Sequence, residues 1–177
     1  MRLGGALVLT ATMGAYRLQA GHPRSSSTVS DFPAPVLQEL QGRGCKVPDK
    51  RSRGVIIHGE FFRPGQSDWA VLCSTKKSAS LLVFPNGSRE HVEVLETMPR
   101  SYSKWSISVV NEERLKEIKS TLGWRGPVPT EIDHQGIGSY LEFGDKNARC
   151  LYCFSAQDTT WYYHQDAWLK PLTMIAN

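Results

Sequence analysis

The chain has 177 residues, 40% hydrophobic and 21% charged, with a formal net charge of +4 at pH 7, the make-up of a globular protein with one ordinary core. Arg2 and Arg17 supply two of the excess charges, so residues 21–177 carry 19 basic against 17 acidic side chains. So small an excess, with Lys46, Lys50, Arg51 and Arg53 as the basic cluster and no aromatics interleaved with it, speaks against nucleic-acid binding.

At the N-terminus, Arg2 precedes an apolar run from Leu3 to Ala15, and no acidic residue occurs before Asp31. A short positive segment, an apolar stretch and a small residue at Ala20 read as a signal peptide over residues 1–20. The run contains three glycines and falls short of the ~20 apolar residues a bilayer needs, so the mature chain is expected to hold no stable membrane span. The location expected is secreted or periplasmic. Residues 21–30, rich in Ser, Gly and Pro, read as a flexible leader, and residues 31–177 as one domain.

Pro33 and Pro35 open a short helix carrying Val36, Leu37 and Leu40, which Gly42 and Gly44 stop. From Val55 the apolar period becomes strand-like. Val55–Phe61, Asp68–Cys73 and Ala79–Phe84 read as strands, and Pro85-Asn86-Gly87-Ser88 as a turn into a fourth, Glu90–Leu95. The glycosylation pattern at Asn86-Gly87-Ser88 is better read as turn chemistry. Asn111 is a good N-cap for a second helix, in which Leu115, Ile118 and Leu122 repeat at helical spacing before Gly123. Ser139–Phe143, Ala148–Phe154, Thr159–Tyr163 and Ala167–Leu169 then form a second run of short strands. Blocks of strands around a helix predict an α+β domain, a largely antiparallel sheet with about two packing helices.

Four cysteines, Cys45, Cys73, Cys150 and Cys153, suit an oxidising compartment and allow three full pairings. Three residues apart in one strand, Cys150 and Cys153 lie roughly 10 Å from each other on opposite faces and are not expected to pair. Cys45 with Cys73 is favoured, with buried free thiols as the alternative.

Gly59-Glu60-Phe61-Phe62-Arg63-Pro64-Gly65-Gln66-Ser67-Asp68 followed by Trp69-Ala70-Val71 resembles the FG-GAP type repeat of integrin-like propellers. That resemblance places calcium-loop ligands at Glu60, Phe62, Pro64 and Asp68, of which only Glu60 and Asp68 carry side-chain oxygen. A strand-to-strand connection without an ion is therefore expected, and one chain of this size cannot supply the blades of a propeller. The longer pattern, Gly44-Cys45, Ile57 to Phe61, Gly65 to Cys73, Leu82-Val83-Phe84 and Asp133 to Ile137, resembles an uncharacterised family of small secreted bacterial proteins. It implies secretion and a single domain, and carries over no catalytic residue.

His58-Gly59-Glu60 with Cys150-Leu151-Tyr152-Cys153 has the letters of a zinc deaminase, but Arg149 replaces the proline and both segments read as strand. No serine sits in a nucleophile elbow, and Asp133-His134 adjacency is not the geometry of a triad. Tyr140, Phe143, Tyr152, Phe154, Trp161, Tyr162, Tyr163 and Trp168 crowd the C-terminal half, either as core or as an exposed binding strip. The reading that follows is a non-enzymatic domain binding a protein or carbohydrate ligand, with no catalytic residue, metal or cofactor assigned. The alternative is a hydrolase-like or metal-dependent enzyme using His58, Glu60 and a later histidine, His134 or His164.

Overall fold

The structure is a computed structural model that describes residues 32–46, 54–99, 104–121, 129–143 and 155–176. The signal-peptide and leader segments, the basic cluster beyond Lys46, the predicted strand Ala148–Phe154, and Cys150 with Cys153 lie outside the described residues.

The described residues form an α+β fold in four layers, two helices enclosing two antiparallel sheets. Helix α1 (Ala34–Gly42) precedes a meander of β1 (Ile56–Gly59), β2 (Asp68–Ser74), β3 (Ser78–Phe84) and β4 (Glu93–Pro99). Strand β5 (Lys104–Val110), helix α2 (Glu112–Thr121), β6 (Gly136–Phe143), β7 (Ser155–His164) and β8 (Ala167–Ala176) make the second unit, with sheet order β5-β6-β7-β8. Two sheets thus replace the one expected.

Strand β2 explains the layering. Its run Trp69-Ala70-Val71-Leu72-Cys73 is buried throughout, because a strand covered on both faces needs apolar residues at every position. Ala70 and Leu72 join Leu81 and Val83 of β3 on the inner face, where they meet Trp105, Ile107, Ile137, Leu141 and Trp161 of the second sheet. Trp69, Val71 and Cys73 point the other way and pack with Leu82 and Phe84 beneath Val36 and Leu40 of α1. On the far side of the second sheet, Leu115 of α2 packs on Ile132 and Tyr162.

Both helices end as their sequences require. Gly44, at φ +70°, lets Cys45 N–H reach the Leu40 carbonyl and its own N–H reach that of Gln41, a Schellman stop. The Asn111 side chain accepts a hydrogen bond from Arg114 N–H and caps α2. The Schellman turn delivers Cys45 to Cys73 in a disulfide, with Cα atoms 5.0 Å apart, and Lys46 N–H bonds the Ser74 carbonyl beside it.

Strands β6, β7 and β8 run longer than Ser139–Phe143, Thr159–Tyr163 and Ala167–Leu169, and three further differences from the sequence reading concern strands. The fourth strand starts at Glu93, three residues late, because Pro85–Gly87 forms a 3-10 turn before the chain re-enters the sheet. β1 stops at Gly59, since the backbone beyond it turns to serve the Asp68 carboxylate. β5 was not among the predicted strands, yet its Trp105 and Ile107 alternate into the core and Trp105 Nε1–H bonds Ser139 Oγ at 2.8 Å.

The double variant Cys45→Ala/Cys73→Ala opens a loop of sequence separation 28 and is expected to lose about 3–4 kcal/mol of unfolding free energy. Urea unfolding measures this, and an unchanged midpoint contradicts it.

Candidate functional site

The loop from Glu60 to Ser67 is organised from within by one acid. Asp68 is fully buried, and its Oδ2 accepts hydrogen bonds from the N–H groups of Phe61 (2.8 Å) and Phe62 (3.0 Å). Its Oδ1 accepts from Gln66 Nε2 (2.7 Å) and from Asn86 N–H (3.0 Å), which belongs to the β3–β4 connection. Charge-assisted bonds of this kind offset the desolvation of a buried carboxylate. Asp68 therefore acts as the internal template of the loop. Glu60 joins the loop to the other sheet through its backbone, with its N–H donating to Gln135 Oε1 at 3.0 Å and its carbonyl accepting from Gln135 N–H at 2.9 Å. Gly59 must be small for this contact, since a Cβ there would stand 2.5 Å from Gln135 Oε1 and 2.8 Å from the Phe61 ring.

On the second sheet, His134 is buried against Tyr162, the two rings stacked 4.3 Å apart. Its Nε2–H donates to the Tyr163 carbonyl at 3.0 Å, and its Nδ1 faces Asp133 Oδ1 at 2.6 Å and the Tyr162 hydroxyl at 3.1 Å. The hydrogen bond from His134 holds the Asp133 carboxyl below its ordinary range, against the opposing pull of desolvation. Burial, above all, pushes the Tyr162 hydroxyl up to about 12. With both ring nitrogens engaged inside the protein, His134 is a clamp between the loop and β7.

These two constructions form opposite walls of a groove of about 610 Å³ at one end of the sandwich. From the first sheet come Phe62, Arg63, Asn86, His91 and Glu93; from the second come Asp133, His134, Tyr163, His164 and the turn residues Gln165 and Asp166. Phe62 and Tyr163, with ring centroids 4.5 Å apart, share a half-buried cluster with Trp168, whose ring centroid is 5.3 Å from each. The turn holds Gln165 at φ 49° and Asp166 at φ 60°, the left-handed pair that closes a tight hairpin at some conformational cost for a glutamine. No family model matches this chain, and no curated protein or solved structure matches it either. The groove has to be read from its own chemistry.

The groove contains His134 and His164 but neither His58 nor Glu60. His58 Nε2 pairs with Ser67 Oγ at 2.7 Å, and its ring lies 4.8 Å from Trp69, a residue of the core under α1. Among the described residues no three His, Cys, Asp or Glu side chains are grouped to hold a metal ion. Trp161 faces the inter-sheet core and Tyr162 the α2 side, as strand alternation requires. The sequence reading singled out neither Phe62 as a binding residue nor Glu93 and Asp166 at all; only the separation of these residues along the chain concealed them.

Asp68→Ala leaves four donors without their acceptor and is expected to destabilise the fold by about 3–5 kcal/mol. Chemical denaturation reads this, and a loss below 1 kcal/mol, roughly the worth of one ordinary hydrogen bond, would contradict the role of template. The Asp133 carboxyl titrates lower in the folded chain than its ordinary 3.8, so its contribution is present above that pH and is lost as pH falls through the lowered value. Acid unfolding of Asp133→Asn should accordingly show a shallower pH dependence below 3.8 than the parent, and identical profiles would refute the assignment.

Proposed function

We propose that the protein is a secreted or periplasmic, non-enzymatic domain that binds carbohydrate in the groove between its two sheets. The observation that carries this reading is the pairing of half-buried Phe62 and Tyr163 with a rim of planar polar side chains, among them Arg63, Asn86, Glu93, Asp133 and Gln165. A sugar ring has an apolar C–H face and an equatorial rim of hydroxyls. Aromatic rings receive the first, while carboxylates, amides and guanidinium provide paired acceptors and donors for the second. The volume of about 610 Å³ lies inside the ~300–1,000 Å³ range of small-ligand sites.

A protein partner has less support. Among the described residues the large exposed hydrophobics Val94, Val109 and Tyr140 lie on three strands of two sheets, whereas a protein interface needs a desolvated apolar centre. An enzyme built on His58 and Glu60 finds neither of them in the groove that His134 and His164 line.

Secretion is supported by the Cys45–Cys73 disulfide, a bond that persists in oxidising compartments, and by the apolar N-terminal run behind Arg2. Among the described residues no helix is long and apolar enough to cross a membrane. We also propose membership of the small secreted bacterial family that the Gly59–Cys73 pattern resembles.

Oligosaccharides screened by isothermal titration should include ligands bound by the parent protein and recovered intact afterwards. Tyr163→Ala and Phe62→Ala should each weaken them by about five- to tenfold, the worth of one aromatic contact. Cleavage of the sugar would favour the enzyme, and binding unaffected by both substitutions would remove the groove from consideration.

A further inference from the structure

We infer that the groove selects sugars carrying a free, positively charged amine, so that its ligand is an oligosaccharide of amino sugars without N-acetyl groups. This rests on the carbohydrate reading above and concerns the charge of the same site. The chain as a whole carries a net charge of +4, yet the groove is acidic. Three carboxylates, Glu93, Asp133 and Asp166, line it against a single guanidinium, Arg63, and even with Asp133 paired to His134 the two remaining acids outnumber it.

The charges are also arranged around the aromatic floor. Glu93 opens β4 on the first sheet, and Asp166 sits in the β7–β8 turn on the second. Both carboxylates act on the hydroxyl of Tyr163, which burial first and then these two acids push up from its ordinary range. Both line the groove together with Tyr163, the ring on which a sugar would lie. Arg63 forms no ion pair with them among the described residues, and its Nε–H donates to Gln66 Oε1 at 2.7 Å. Asp133 keeps a largely exposed side chain although one of its oxygens faces His134.

A neutral sugar replaces the water on these carboxylates with hydroxyl hydrogen bonds but returns no countercharge. An ammonium group returns it, donates three hydrogen bonds to acceptors that can only accept, and is attracted by the faces of Phe62 and Tyr163. An N-acetyl group removes all three advantages. The structure thus favours the amine at the rim between Glu93 and Asp166, with the ring face on the aromatic floor.

The test is isothermal titration of the full chain with four probes: the glucosamine trisaccharide, its N-acetylated counterpart, a glucose trisaccharide and spermidine. The free-amine trisaccharide should bind about tenfold tighter than the acetylated one, as a charge-assisted contact predicts, and the advantage should shrink with added salt. Glu93→Gln and Asp166→Asn preserve side-chain size, and asparagine tolerates the positive φ of the turn. Together they should abolish the advantage, so that the free-amine and acetylated trisaccharides bind equally, with thermal unfolding confirming that the variant is folded. Equal or tighter binding of the acetylated or glucose trisaccharide overturns charge selection and leaves the sugar site standing. Spermidine binding as tightly as the amine trisaccharide, or no trisaccharide binding at all, overturns the carbohydrate reading with it.

Discussion

The buried carboxylate of Asp68 is the constraint on which the rest of the molecule depends. An acid with no access to solvent must be met by donors, and the chain meets it with two consecutive backbone N–H groups, a glutamine amide and an N–H from the next connection. Meeting that demand ends β1 at Gly59, folds the following loop back on itself and fastens it to the 3-10 turn at Pro85–Gly87. The same demand fixes the direction of Phe62 and Arg63. What resembles a cation-binding loop in sequence is thus built inside out, with an anion at its centre and the backbone supplying the positive ends of its dipoles.

From this loop the logic runs to the second sheet. Gln135 bonds both backbone groups of Glu60, and two residues earlier Asp133 and His134 begin the cluster with Tyr162 that anchors β7. The end of the sandwich is therefore tied twice, once by amide contacts between sheets and once by an imidazole clamp. A groove framed by such ties is preorganised, and a ligand entering it does not have to order its walls. The disulfide at Cys45 serves the opposite face, holding α1 over the outer side of β2 while leaving the groove untouched.

Much of the architecture was legible in the chain. The uninterrupted apolar run of β2 announced a strand covered on both sides, the proline opening and glycine stop bounded α1, and Asn111 announced its cap. The pairing of Cys45 with Cys73 followed from where helix and strand end. β5 was equally legible and was missed: Trp105, Ile107 and Val109 alternate with Lys104, Ser106 and Ser108, yet the stretch lies between two stronger signals, the end of the first meander and the capped helix. The division of the strands into two sheets was not legible, because apolar alternation says that a face is buried without saying against what.

The candidate site shows the same boundary more sharply. Sequence alone determined that the segment from Gly59 to Cys73 forms a connection and a central strand, that Phe62 and Pro64 cannot serve a cation, and that Trp161 and Tyr162 face opposite ways, since each follows from local chemistry and backbone period. Only the tertiary structure decided that Asp133 touches His134, that His58 turns to Ser67 rather than to another histidine, and that Phe62, Glu93, Tyr163 and Asp166 share one groove. These residues are separated by tens of positions. Their meeting depends on how two sheets pack and which of their ends coincide, a property of the folded whole that no local pattern encodes.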